Sequence, residues 1–352
     1  MSTKSSSRAP SPTSTSRGFD EELARLESLA EDLRAKPTPT PDQVAYLRKS
    51  LTHRNNFLVS KAARLAASCE LTQLLPDILA AYDRFFHDPA KTDPKCWAKE
   101  ALAKALVTLG HRSKDEYLRG MRHHQMEPSF GPPVDAAGTL RATCAHALVD
   151  CPGISDADLL AALLEPFTDT DKTVRIEAAR AIANVGGVSA MLILRLRALL
   201  GAASSESEPE VMGAVWSSLL ALEGAQAIPL VALALEPGDD LAGEAAFALA
   251  DLRSAEALAA LLARLRAGAD PPDFWFTSVL LSAIALTRLP AAMDFLIASV
   301  ERDERQAADA IEALSRIAPN AELRTRMEQA VEQADSMRLR QALKKHLPPI
   351  AE

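Results

Sequence analysis

The sequence predicts an all-α chain, arranged as a right-handed α-solenoid of about nine stacked helix pairs. Three observations carry that expectation. Ala and Leu dominate while aromatic residues make up only 5%, and no run of Val, Ile and Thr alternates with period two as a strand would. Apolar residues recur instead at three and four positions, the spacing of one helix face. From about residue 43 onward the same amphipathic unit returns every 30 to 42 residues, within the range of helical repeat arrays.

The elements follow in chain order. Residues 1–18 are Ser, Thr, Pro and Arg with almost nothing to bury, so ordering them would cost entropy without compensation, and a disordered tail is expected. This opening lacks the apolar core of a secretory signal. Phe19, Leu23, Leu26, Leu29, Ala30 and Leu33 then mark one amphipathic helix, which the run KPTPTP at 36–41 stops, so residues 19–42 form a helix and a stiff linker. The repeat array is expected over residues 43–352.

The clearest repeat is DKTVRIEAARAIANVGG. Asp171 suits a helix N-cap, Val174, Ala178, Ala179, Ile182 and Val185 form an apolar stripe, and Gly186 supplies the stop. With Val174 as anchor, equivalents stand at Leu58, Ala98, Leu140, Val211, Leu241, Phe276, Gln306 and Leu339. Two further columns test this register. Four residues after the anchors stand Ala62, Leu102, Cys144, Ala178, Val215, Ala245, Leu280, Ala310 and Leu343, and eight after them Ala66, Leu106, Leu148, Ile182, Leu219, Leu249, Ile284, Leu314 and Leu347, all apolar. Three before several anchors, Asp171, Glu208, Asp273 and Asp303 place an acid where it can cap a helix and meet its dipole. Each of these second helices follows another amphipathic segment, at 71–86, 113–124, 156–166, 188–200, 225–236, 254–267 and 290–302. A pair with apolar residues on two sides buries them only by stacking on its neighbours.

The pattern Asp171, Val174, Arg175, Ala178, Ala179, Ala181, Ile182, Val185, Gly186 resembles the HEAT repeat, including its short bacterial form in phycobilin lyase-like proteins. The resemblance is strong at 171–186, good at 95–110 and 140–151, and weak from 211 on. It implies that the second helix of each pair lines a concave face and that a basic residue after the anchor forms a ladder between repeats. Lys99, Arg141, Arg175 and Arg340 hold that position, but Met212, Ala242, Thr277 and Ala307 replace it elsewhere. HEAT arrays mostly imply protein interaction. HEAT-like iron hydroxylases carry His-Glu pairs that this chain lacks. HEAT-like alkylpurine DNA glycosylases use concave aromatics on a basic inner face.

Charge narrows the partner class. The net charge of −8 and pI near 5.5 oppose a protein built to coat nucleic acid, because such affinity comes from neutralising phosphates. The acidic excess lies in residues 151–352, whereas 43–150 carry a basic excess and six of the seven histidines, so any anionic ligand is expected in the N-terminal half. No uninterrupted apolar run has the length of a membrane span, and a cytoplasmic protein is the expectation. Four scattered cysteines make no disulfide framework, and core packing accounts for Cys69, Cys144 and Cys151. The rings of Trp97, Trp216 and Trp275 are likewise expected to be buried.

The segment 111–148 is the least regular. Its turn from Gln125 to Val134, stiffened by Pro128, Pro132 and Pro133, is longer than a repeat connection needs. Arg119, Arg122, His123, His124, Gln125, Glu127, Asp135 and Arg141 surround it, a set able to hold a carboxylate, a phosphate or an acidic peptide. His123, His124, Glu127 and His146 include metal-ligating types, yet adjacent histidines on a helix diverge by about 100° and rarely share an ion. No metal, cofactor or catalytic residue is expected. The sequence points to a non-catalytic interaction scaffold that binds a partner protein or peptide on its concave face. The alternative is a small-ligand-binding protein or phycobilin lyase-like enzyme with its site in 111–148; nucleic-acid binding has the least support.

Overall fold

The computed structural model describes residues 14–202, 208–236, 238–268 and 273–348, and these are mostly helix. Its contacts separate two compact units, residues 1–154 and 155–352. The first holds α1 (Ser14–Ala35), α2 (Pro41–Leu51), α3 (Asn56–Ser68), α4 (Leu75–Arg84), α5 (Pro89–Thr92), α6 (Trp97–Thr108), α7 (Lys114–Met121), a short hairpin of β1 (Met126–Glu127) and β2 (Val134–Asp135), and α8 (Gly138–Leu148). The second holds α9 (Asp156–Phe167), α10 (Lys172–Val185), α11 (Gly187–Ala202), α12 (Pro209–Glu223), α13 (Ile228–Ala232), α14 (Asp240–Asp251), α15 (Ala255–Ala267), α16 (Phe274–Leu286), α17 (Pro290–Glu301), α18 (Ala307–Arg316), α19 (Ala321–Ala334) and α20 (Met337–His346). Helix α1 thus starts at Ser14, five residues before Phe19; residues 1–13 of the expected tail lie outside the described residues.

Local chemistry sets many of these boundaries. Thr40 and Gln43 close a reciprocal capping box around Pro41, which explains why a helix starts straight after the Pro-rich run. The Asp171 carboxylate accepts from the N–H of Thr173, and Gly186, at φ 75°, ends α10. Asp239, Ser254 and Asp273 cap α14, α15 and α16 through N–H groups three residues on.

In the first unit α3, α6 and α8 pack each on the next, with α2 against α3, α4 against α6 and α7 against α8. In the second unit α10, α12, α14, α16, α18 and α20 pack each on the next; α9 and α11 cover α10, α13 and α15 cover α14, and α17 and α19 cover α18 and α20. The predicted columns line these contacts. Ala62, Leu102, Cys144, Ala178, Val215, Ala245, Leu280 and Ala310 are buried, as are Ala66, Leu106, Leu148, Ile182, Leu219, Leu249, Ile284 and Leu314. Leu343 and Leu347 are half-buried, because no described helix follows α20.

The structure corrects several details. At two anchors the buried residue is the next one along: Ala242 and Ala307 are buried, while Leu241 and Gln306 are half-buried and Gln306 is itself the N-cap of α18. Asp303 caps nothing: it lies in the left-handed region at φ 45° and pairs with Arg338. Trp216 is buried, but Trp97 and Trp275 are 38% and 50% exposed, and Cys69 is half-buried rather than core. The stretch Pro209–Leu235 has the length and hydropathy of a membrane span. It is not one helix, because α12 ends at Gly224 (φ 59°), a 3-10 turn follows, and α12 buries Val211, Val215 and Leu219 against its neighbours.

Ile182 is fully buried where α10 meets its neighbours. Replacing Ile182 with Asp strands a charge there, and a loss of several kcal/mol in chemical unfolding is the expected result. A near-normal denaturation midpoint would show the register to be wrong.

Candidate functional site

The eight residues singled out around the long turn fall into two groups once the chain is folded. The inward group packs on a pair outside the eight, Asp93 and Lys99, both fully buried. Asp93 Oδ2 takes the Lys99 ammonium at 2.9 Å and the Lys99 N–H, while Oδ1 accepts from Ala98 N–H and from Asn56 Nδ2. Buried charges persist when they are paired and hydrogen-bonded, and here the carboxylate takes four donors while the ammonium also donates to the Phe85 carbonyl. Lys95 and Cys96 in the same turn stand at φ 62° and 56°, a left-handed conformation that costs roughly 1–3 kcal/mol per non-glycine residue. The hairpin holds that turn in place. Gln125 is buried and donates from Nε2 to the Asp93 carbonyl (2.8 Å) and to Glu127 Oε1 (2.6 Å), and Glu127 accepts the Lys95 N–H at 2.7 Å.

Asp135 and Arg141 close the other end. Asp135 Oδ1 accepts the N–H groups of Gln125 and Ala137, and Oδ2 meets Arg141 Nη1 at 2.7 Å and His124 Nδ1 at 2.8 Å. Burial alone would raise this carboxyl, but those backbone donors, His124 and Arg141 together hold it down at about 2. Arg141 is 1% exposed and also donates to the His123 carbonyl. His123 is half-buried in an edge-to-face contact with Phe86 (centroids 5.0 Å apart), and burial lowers its pKa, which favours the neutral ring. Its Nε2 faces Gln125 Oε1 at 3.3 Å.

Arg141, Gln125, Glu127 and Asp135, four of the residues expected to surround a ligand, are therefore engaged by the protein itself. Arg119, Arg122 and His124 remain exposed. Arg119 lies 4.3 Å over the Phe86 ring and pairs with Asp83. Beyond them the tip of the turn exposes Phe130 fully, with Ser129 Oγ donating to the Pro132 carbonyl and accepting from Gly131 N–H. The basic positions after the anchors make no continuous ladder. Lys99, Arg141 and Arg340 pair with Asp93, Asp135 and Asp335 from the turn entering their own helix, while Arg175 bonds the Asp169 carbonyl and reaches Glu208 at the start of α12.

Cys144 is fully buried beside the Tyr82 hydroxyl (3.7 Å), and burial pushes its thiol up to about 12, which fits the core role expected of it. Among the described residues no three His, Cys, Asp or Glu side chains come together as metal ligands.

A surface that the sequence reading missed lies in the second unit. Helices α10, α12, α14 and α16 leave two adjoining hollows of about 420 and 410 Å³, which share Glu210, Glu244 and Phe247. Gly213, Ala214, Ser217 and Gly243 keep the floor shallow. Trp275, whose ring edge lies 3.5 Å from where a Cβ on Gly243 would stand, forms one wall. Two signals could have found it: small residues at 213, 214 and 217 on one face of α12, and the complete absence of Lys, Arg and His from residues 198–252.

Two predictions follow from the inward group. Arg141→Ala should cost about 3–5 kcal/mol, the usual loss when one member of a buried ion pair is removed, whereas Arg122→Ala at the exposed rim should stay within about 0.5 kcal/mol. Equal denaturation midpoints for the two variants would contradict the burial of Arg141. The depressed Asp135 carboxyl also sets a pH window. Its contribution is complete above the unfolded value near 3.9, shrinks as pH falls below that, and is gone below about 2. The stability gap between the wild type and Asp135→Asn should therefore be constant from pH 7 to about 5 and should narrow between about pH 4 and 2.

No protein-family model matches this chain, and no curated protein matches it.

Proposed function

We propose that this protein is an interaction scaffold whose helix pairs are HEAT-type solenoid repeats and whose second helices hold a segment of a partner protein. The observation that carries this reading is the open cleft across α10, α12, α14 and α16, with a floor of small residues and half-exposed Phe247 and Trp275 on its walls. Solvated aromatic side chains beside a shallow floor are the usual anchors of protein interfaces. Large open surfaces on rigid stacked helices suit extended partners better than small substrates. The acidic balance of residues 151–352 opposes a polyanionic partner there.

The alternative, a small-ligand or lyase-like site in 111–148, loses support from the direction of its polar groups. Glu127 serves Lys95 and Gln125, and Asp135 serves Arg141, His124 and two backbone N–H groups. Little is left in the buried part of that segment to receive a substrate.

A photo-crosslinking residue at Ser217, compared with one at Phe130, tests the scaffold reading in cell extract. Crosslinks from position 217 should appear and should be lost in Trp275→Ala and Phe247→Ala, each of which should weaken capture by more than about 1 kcal/mol while the helical signal persists. Crosslinks from position 130 alone would move the binding surface to the hairpin.

A further inference from the structure

The cleft of the second unit is lined by four acids and one base, an excess that a groove selected only for apolar contact does not require. Residues 198–252 contain nine acids (Glu206, Glu208, Glu210, Glu223, Glu236, Asp239, Asp240, Glu244 and Asp251) and no Lys, Arg or His. Four of them, Glu210, Asp240, Glu244 and Asp251, line the cleft, against one base, Arg180, which is engaged by Glu177. Glu210 is engaged by Lys172. Glu244 differs from both: it is half-buried over Gly213, where an added Cβ would overlap its carboxylate, and it makes no hydrogen bond or ion pair among the described residues. Burial holds its carboxyl above the usual range, and nearby Glu210 adds to the shift. A half-buried carboxylate without a partner gains most from a cation that arrives with its own desolvating surface. The exposed rings of Trp275 and Phe247 in the same hollow offer that cation a second favourable contact.

We propose that this cleft receives an extended, arginine- or lysine-bearing segment of a partner protein, with one cation against Glu244 and the aromatic wall. The inference rests on the scaffold reading and specifies its partner. Length favours a peptide over a free amine: neighbouring helices stand about 8–10 Å apart, so the cleft crosses about 20 Å or more, room for roughly six extended residues.

The test uses the full chain and three fluorescein-labelled octapeptides, alternating Arg-Ala, Gln-Ala and Glu-Ala, with anisotropy read at about 150 mM salt. The Arg-Ala peptide should bind at least about tenfold more tightly than the Gln-Ala peptide, and the Glu-Ala peptide most weakly. Glu244→Gln and Trp275→Ala should each weaken Arg-Ala binding by about tenfold or more with unchanged melting. Glu332→Gln, an exposed acid on α19, should change it less than about twofold. Equal losses from Glu244→Gln and Glu332→Gln would reduce the effect to diffuse attraction and overturn the proposal. Equal binding of the Gln-Ala and Arg-Ala peptides, abolished by Trp275→Ala, would overturn the charge preference and leave the scaffold reading standing. If no peptide binds while position 217 still crosslinks to a protein, the basic partner is excluded; if position 217 is silent as well, both readings fall.

Discussion

Close approach of the second helices is the constraint on which the second unit depends. Helices α10, α12 and α14 pack each on the next, and Ala178, Ala179, Ala181, Val215, Ala242, Ala245 and Ala246 on them are all buried. Small side chains let these helices pack tightly, and the sparse aromatic content is the compositional trace of that packing. The same smallness shapes the outer face: Gly213, Ala214, Ser217 and Gly243 leave a trough where leucines would have filled it. Core and cleft are thus two sides of one choice of residue size on α12 and α14.

The first unit solves a different problem. Its entry into α6 is an irregular turn with two residues in the left-handed region, and regular backbone pairing is not available there. Side chains supply the missing partners. Asp93 takes two backbone N–H groups, a lysine and an asparagine, and the hairpin contributes Gln125 and Glu127. A polar network of this kind is stabilising only when every member is satisfied, so its residues depend on one another more than those of an apolar core do.

Most of the helical framework was legible in the sequence, because the apolar columns report a helix face directly. Where the register slipped, at Leu241 and Gln306, both the predicted anchor and its neighbour had a plausible neighbourhood, and only the N-cap position decides between them. Arg141 and Gln125 were misplaced for a related reason. Composition shows that a segment is polar, but whether its groups face solvent or each other depends on the fold: Gln125 meets Asp93, 32 residues away in the chain, and Arg141 turns back on Asp135 and the His123 carbonyl across the hairpin. Trp97 and Trp275 show the converse. A large ring at the start of a helix is buried only if another element covers that first turn, and in both cases the ring stays at least a third exposed. The cleft was hidden because no motif spells it; it arises from small residues on several helices that become one surface only when stacked.

The hairpin of the first unit has its two arms fastened separately. Gln125 and Glu127 tie the ascending arm to the turn before α6, and Asp135 with Arg141 ties the descending arm to the start of α8. The residues between, from Pro128 to Pro133, are exposed and bond mainly among themselves. The tip is therefore a replaceable cartridge on a fixed mount: a protease cut beside Phe130 would leave both stumps in place, and an epitope or fluorescent tag spliced there would ride on the surface without loosening the buried ions beneath it.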